Sequence, residues 1–182
     1  MKVHAPHKYA RIERERRFLL RHFPAHEHVV RSRLIVDRYI DGTTFRLRKL
    51  SENGGTVAFK LTQKILARSS GAQQGLITTM YLTVEEYCVL AQLPAKTLTK
   101  TRHSVPPFGI DVFDGPLQGL LLAEAEFESA ADADALVLPD FILHEVSGDD
   151  RFTGGQLVRA SPQDVRTWLS EYGIDAAPVY SS

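Results

Sequence analysis

The most informative segment of the chain is residues 9–20, which read Tyr9-Ala10-Arg11-Ile12-Glu13-Arg14-Glu15-Arg16-Arg17-Phe18-Leu19-Leu20. No glycine or proline interrupts it, so we predict one long β-strand. Side chains two positions apart lie on the same face of a strand, so Glu13, Glu15 and Arg17 share a face. This strand therefore has one face on which all three of these neighbouring side chains are charged.

Turn signals divide most of the remaining chain into further strands, and Asp41-Gly42 is a strong hairpin signal among them. The predicted strands are Ser32–Ile40, Thr43–Leu50, Thr56–Leu61, Leu76–Leu82, Thr97–Ser104, Gly109–Phe113 and Leu121–Glu128. Short connections of this kind join antiparallel neighbours, and eight such strands can close a barrel. We predict an α+β fold that is mainly β, built on an eight-stranded antiparallel β-barrel.

Three helices are predicted from their N-terminal caps. They begin after Thr83, after Ser129 and after Ser161-Pro162. Cys88, on the first of them, is expected to be an inert core thiol. With 182 residues the chain is predicted to be a single domain over residues 1–182, with a core of about 8–173.

Composition excludes several protein classes. Lys and Arg number 22, as do Asp and Glu, so a zero net charge disfavours a protein that coats nucleic acid. The single cysteine excludes an internal disulfide and fits a cytoplasmic protein. No apolar run is long enough for a membrane helix, so no membrane association is expected.

Several predicted strands carry charges of one sign on one face. Examples are Arg46 with Arg48, and Glu124 with Glu126. A single strand of this kind is typical of a sheet with one wet face, but like charges repel across strands, so the whole set favours a shared interior. A barrel closed on these faces would hold carboxylates of Glu13, Glu15, Asp111, Glu124 and Glu126, and cations of Arg17, Arg46, Arg48, Lys60, Lys100 and Arg102. Carboxylates suit Mg²⁺ or Mn²⁺, and guanidinium groups suit phosphate oxygens.

In this order and spacing the motifs resemble those of the CYTH superfamily, the triphosphate tunnel metalloenzymes, in a divergent bacterial-type form. Glu13–Leu19 resembles the E-x-E-x-K signature, and the segment from His144 to Phe152 resembles the closing E-V-T-x-D-x-R-Y segment. Between them lie counterparts of the R-x-R, K, K-x-R, D-x-F and E-x-E strands at Arg46-Leu47-Arg48, Lys60, Lys100-Thr101-Arg102, Asp111-Val112-Phe113 and Glu124-Ala125-Glu126.

The resemblance implies a β-tunnel with helices packed outside and a metal-dependent enzyme that uses Mg²⁺ or Mn²⁺. It implies metal ligands at Glu13, Glu15, Glu124 and Glu126, with Asp111 assisting, and phosphate ligands at Arg17, Arg46, Arg48, Lys60, Lys100 and Arg102. The catalytic set it implies is Glu13, Glu15 and Arg17.

This chain departs from the family pattern at three places. The signature lysine is Arg17, which does not readily give up its proton. The R-x-E-x-E strand is replaced by Gly75–Leu82, with Ile77 and Thr79 at the acidic positions. The closing tyrosine is Phe152. Lys64 shares a face with Lys60 and is expected to be a solvated lysine, with a position at the tunnel mouth as the alternative.

The leading hypothesis is a phosphohydrolase of a triphosphate-bearing small molecule, either inorganic tripolyphosphate or a nucleoside or thiamine triphosphate. The alternatives are a module that binds polyphosphate or a nucleotide without hydrolysis, and an adenylate cyclase. Nucleic acid would enter only as an RNA 5′-triphosphate end, and the protein would be a monomer or a homodimer.

Overall fold

The computed structural model describes residues 8–52, 54–66 and 73–174. Eight strands form the barrel: β1 (Arg11–Leu20), β2 (Arg31–Ile40), β3 (Phe45–Glu52), β4 (Val57–Leu66), β5 (Gln73–Leu82), β6 (Ala95–Val105), β7 (Phe108–Phe113) and β8 (Leu121–Phe127). Their order is β5-β4-β3-β2-β6-β7-β8-β1, all neighbours are antiparallel, and β1 also pairs with β5. The sheet is therefore closed, which confirms the predicted barrel.

A ninth strand, β9 (Ile142–Glu145), was not predicted. β1 pairs with β5 through residues 11–15 and with β9 through residues 18–20, so the two strands divide one edge of β1 between them. A strand of four residues shows too little alternation to stand out in the sequence. The hairpin between β2 and β3 also differs from expectation, because its loop spans residues 41–44 and not the two residues Asp41-Gly42.

Four α-helices lie among the described residues: α1 (Val84–Leu90), α2 (Ala130–Asp134), α3 (Gly154–Leu157) and α4 (Pro162–Glu171). The three predicted helices are confirmed, and each begins with a capping box, at Thr83, Ser129 and Ser161. The short α3 was not predicted. No helix in the described ranges is long and apolar enough to span a membrane.

The core lies in two clusters around the barrel. In one, Leu19 and Leu122 pack with Phe152 and with Leu169 of α4. In the other, Phe18, Ile110 and Ala123 lie on the outer face of the sheet. Cys88 is exposed, so the expectation of a core thiol was wrong; α1 has no fully buried residue, and half of its apolar positions face solvent.

Candidate functional site

The barrel encloses a cavity of about 250 Å³. Because charged residues occupy alternate positions of the strands, their side chains point to the same interior. Nine of the eleven predicted site residues line the cavity: Glu13, Glu15, Arg17, Arg46, Arg48, Lys100, Arg102, Glu124 and Glu126. Lys60 and Asp111 are not among the lining residues. The charged strand faces therefore do converge, as the sequence indicates, and the roles assigned to them stay predictions.

Lys64 lines the cavity and its side chain is 30% exposed, so the alternative that it reaches the tunnel describes it better than a solvated surface lysine. Its Nζ lies 2.5 Å from Oε2 of Glu13 and donates a hydrogen bond of 2.8 Å to Oε1 of Glu15. Burial lowers the pKa of Lys64, but the attraction of Glu15 and Glu13 outweighs it and raises that pKa overall. The ammonium therefore remains charged between two carboxylates.

Glu15 and Glu124 are both enclosed, yet their pKa values move in opposite directions. Burial and the nearby charge of Glu124 raise the pKa of Glu15, although Lys64 opposes this. Burial also acts to raise the pKa of Glu124, but Arg102 and Lys100 lower it overall. Glu124 is therefore a firmly ionised carboxylate, whereas Glu15 holds its charge less strongly.

Asp111 lies outside the cavity lining and is fully buried. It accepts a hydrogen bond from Nζ of Lys100, and it accepts two bonds of 2.6 Å from Nε and Nη2 of Arg102. Nη2 of Arg102 also donates to Glu124. Asp111 therefore fixes the positions of the Lys100 and Arg102 side chains. These contacts differ from the role of assisting metal ligand that the family resemblance implies.

Asp37 was missed by the sequence analysis and is completely buried. Its two carboxylate oxygens accept bonds of 2.6 and 2.7 Å from Arg48, and Nε of Arg46 lies 3.9 Å away. Burial raises the pKa of Asp37, but Arg48 and Arg46 lower it overall to about 2. Asp37 lies opposite Arg48 across the β2–β3 hairpin, so the alternation of β2 was the signal that could have identified it.

Gly154 brings α3 close to the luminal Tyr39 of β2. A Cβ built on Gly154 would lie 2.0 Å from Oη of Tyr39, whereas one on Gly155 meets nothing within 4 Å. Burial raises the pKa of the Tyr39 hydroxyl, as does the charge of Asp37. A side chain at position 154 would therefore require Tyr39 or α3 to move.

Three more predicted residues occupy different surroundings. Arg17 is 1% exposed, and its Nη2 donates to the carbonyl oxygen of Ser147 at 3.3 Å. Glu126 lies at an exposed position of the cavity lining. Lys60 has its Nζ 4.8 Å from the ring centroid of Tyr81, which is 74% exposed.

The luminal face of β5 carries no carboxylate at positions 77 and 79. Ile77 lies opposite Lys64 on β4, and Thr79 lies opposite Thr62. The Oγ1 atoms of Thr62 and Thr79 lie 3.1 Å apart, in hydrogen-bond contact. The luminal face of β5 is therefore neutral at these two positions, neither of which is among the cavity-lining residues, and this agrees with the departure seen in the sequence.

The carboxylates that line the cavity match a divalent cation by donor type but are not arranged around one. Glu13, Glu15, Glu124 and Glu126 supply carboxylate oxygens, which by donor type suit Mg²⁺ or Mn²⁺. As the described side chains stand, no three Asp, Glu, His or Cys residues are grouped as a ready metal site. Two of the four carboxylates instead contact Lys64, and a third contacts Arg102.

Two solved structures of one other protein, NE1496, share this architecture. The chain is 26% identical to the inorganic triphosphatase NE1496, with a TM-score of 0.55, over 82% of this chain and 96% of that one. A second structure, described as the hypothetical protein NE1496, gives the same identity, TM-score and coverage of this chain and is covered over 99% of its length. A conserved hypothetical protein from Pyrococcus furiosus gives 11% identity and a TM-score of 0.46, over 90% of this chain and 92% of that one. No protein-family model and no curated protein matches the sequence.

Proposed function

Because this chain belongs to the CYTH superfamily of triphosphate tunnel enzymes, we propose that it is a phosphohydrolase acting on a triphosphate bound inside the barrel. We further propose inorganic tripolyphosphate as the substrate, because the solved structure that it resembles is that of an inorganic triphosphatase. The observation that carries the proposal is the convergence of cations and carboxylates on one cavity of about 250 Å³.

The cations of the cavity bind the phosphate chain in this proposal. Arg46, Arg48 and Arg102 present guanidinium groups, whose planar donors match phosphate oxygens. Asp37 accepts hydrogen bonds from Arg48 and Asp111 accepts them from Arg102, so the positions of these two guanidinium groups are fixed before substrate binds. Fixed donors stabilise charge on a leaving phosphate without the cost of reorganising during the reaction.

Glu13, Glu15, Glu124 and Glu126 would hold a divalent cation, Mg²⁺ or Mn²⁺. When bound, that ion offsets the charge of the phosphates and makes a bound water more acidic. Lys64 offsets part of the charge of Glu13 and Glu15 in the described structure, and a bound phosphate chain would offer its ammonium a further anionic partner. Arg17 acts as a fixed positive charge, since a guanidinium keeps its proton.

A second candidate function is a receptor that captures polyphosphate without hydrolysing it. The neutral face of β5 favours this candidate, because Ile77 and Thr79 supply no carboxylate to hold a metal or orient water. The phosphate-binding cations do not depend on these two positions. Binding would therefore persist in a protein whose chemistry was lost.

Phosphate release from tripolyphosphate, ATP and thiamine triphosphate tests the proposal, with Mg²⁺ or Mn²⁺ and with the metal removed by a chelator. The comparison variant is Glu15→Gln, which keeps the shape and removes the charge. Metal-dependent release that Glu15→Gln abolishes supports the hydrolase. Absence of release, together with a rise in Tm on adding tripolyphosphate, would support the receptor instead.

A further inference from the structure

A second pocket of about 190 Å³ lies beside the first residues of β2. Ile40, the last residue of the same strand, lines the central cavity. Its walls include Arg31 and Arg33 from β2, Ser104 from β6 and Gly109 from β7. Arg102 is the residue that the two linings have in common. The pocket is thus a neighbour of the central cavity, and Arg102 borders both.

Positive charge is concentrated around this pocket. Arg33 lies directly opposite Arg102 across the β2–β6 pair, and Arg31 lies opposite Ser104. Like charges at opposed positions of neighbouring strands repel each other and lower stability. An arrangement of this kind is favourable when an anion binds between the charges.

The carboxylates nearby do not balance all of this charge. Glu52 lies 3.1 Å from Nε of Arg33 and 3.6 Å from Nη1 of Arg31, so two guanidinium groups share one carboxylate. Arg102 is already balanced on the luminal side, by Asp111 and Glu124. Among the residues that the structure describes, one unit of positive charge from Arg31 and Arg33 therefore remains at the pocket.

Gly109 keeps the floor of the pocket open. A Cβ at this position would lie 3.1 Å from Cδ and 3.4 Å from Nε of Arg102. The absence of a side chain lets the stem of Arg102 run past β7 and place its guanidinium against Asp111. A larger residue would push Arg102 and fill the space beside Ser104.

We propose that this second pocket is a binding site for orthophosphate, held by Arg31, Arg33 and the hydroxyl of Ser104. Two guanidinium groups and a hydroxyl are donors of the type that phosphate oxygens accept. The pocket has the sign of charge and the size for one small oxyanion. The phosphate comes either from solution or from hydrolysis in the adjoining cavity.

Amide NMR of the full chain tests the site, with orthophosphate as the titrant and the signals of Ser104 and Phe108 as reporters. Saturable shifts are expected at both. In the double variant Arg31→Gln, Arg33→Gln we expect the affinity to fall by about tenfold or more, because hydrogen bonds to charged groups are lost. Lys49→Gln is the matched control: it removes one positive charge from an exposed position of β3 and should leave the affinity unchanged.

A second variant keeps the test valid if the arginine double variant misfolds. Ser104→Ala removes one hydroxyl and no charge, and it should weaken the same titration by a smaller factor. Shifts confined to residues of the central cavity, or an unchanged affinity in both variants, would overturn the proposal.

Adding tripolyphosphate distinguishes the two sources of phosphate. If the chain hydrolyses it, the orthophosphate shifts at Ser104 develop with time, and they do not develop in Glu15→Gln. The titration with orthophosphate does not depend on turnover. Failure of the hydrolase proposal and failure of this site are therefore separate outcomes.

Discussion

Lys64 donates a hydrogen bond of 2.8 Å to Glu15, a residue 49 positions earlier in the chain. The same ammonium lies 2.5 Å from Glu13, so one cation contacts both carboxylates of the β1 signature and offsets part of their charge. A divalent cation that uses these carboxylates must compete with Lys64 for them. If the proposed cation binds here, its affinity is expected to depend on where the lysine side chain lies.

Replacing Lys64 by Met tests this competition. We expect Mn²⁺ alone, without a phosphate compound, to bind the variant at least about tenfold more tightly, a difference of ~1.4 kcal/mol. Titration calorimetry or the electron paramagnetic resonance of free Mn²⁺ measures it. Lys60→Met is the control, since Lys60 lies on the same strand but contacts the ring of Tyr81. Equal affinities in all three proteins would rule out competition by Lys64.

Asp37→Asn is expected to lower the free energy of unfolding by about 3–5 kcal/mol, the usual effect of removing one partner of a buried ion pair. The variant leaves Arg48 and Arg46 without their shared carboxylate. Urea unfolding measures the change. Asp41→Asn, at an exposed position of the β2–β3 loop, should have little effect; if both variants unfolded alike, Asp37 would not support the arginines.

The same pair predicts a pH dependence of stability. The pKa of Asp37 is lowered in the folded protein to about 2, from an ordinary value of 3.8. Its contribution is therefore fully present above pH 3.8 and is lost as the pH falls through about 2. The difference in unfolding free energy between the wild type and Asp37→Asn should shrink over this interval. A difference that stayed constant down to pH 2 would contradict the assignment.

Gly154→Ala is expected to destabilise the protein by about 1–3 kcal/mol, the usual range for overpacking. The added methyl group would meet Oη of Tyr39 at 2.0 Å, so either α3 or Tyr39 must move. Tripolyphosphate binding should weaken as well, since both elements line the cavity. Gly155→Ala is the control, because nothing lies within 4 Å of its added atom. Identical melting curves for the two variants would refute the close approach.

Ile77→Glu tests the neutral face of β5. Ile77 lies opposite Lys64, so the new carboxylate would enter the luminal side of the barrel. We expect higher affinity for Mn²⁺ and, if the chain is a hydrolase, faster phosphate release. Thr78→Glu places the same charge on the opposite face of the strand and serves as the control. A gain in both variants would show that charge alone, and not its position, is responsible.

The β-barrel followed from local patterns. Alternating charges mark the luminal face of β1, β3, β6 and β8, and turn residues mark where strands end. The short strand β9 and the helix α3 did not follow, because each has only four residues and depends on packing for its stability. The length of the β2–β3 loop was also misjudged, since Asp41-Gly42 is compatible with more than one loop.

The cavity residues likewise include some that local sequence patterns identified and some that they did not. Glu13, Glu15, Arg46 and Arg48 were identified because pairs of like charge repeat along a strand, a signal that needs no partner. Asp37 is the one carboxylate of β2, so it forms no pair of like charges along the strand. Lys64 lies near the end of β4, where a lysine is commonly exposed to solvent. The role of each residue depends on its contact with a residue of a neighbouring strand, and no local sequence pattern specifies that contact.

The sequence by itself determined the strand faces and their charges, because the two-residue period of a strand is a property of the local backbone. Only the tertiary structure decided which charges meet. Closure of the barrel places Lys64 against Glu15 and Asp111 against Arg102, and it leaves Arg31 and Arg33 to share one carboxylate. Coulomb interactions act over a few ångströms in space, so a distance along the chain does not predict them.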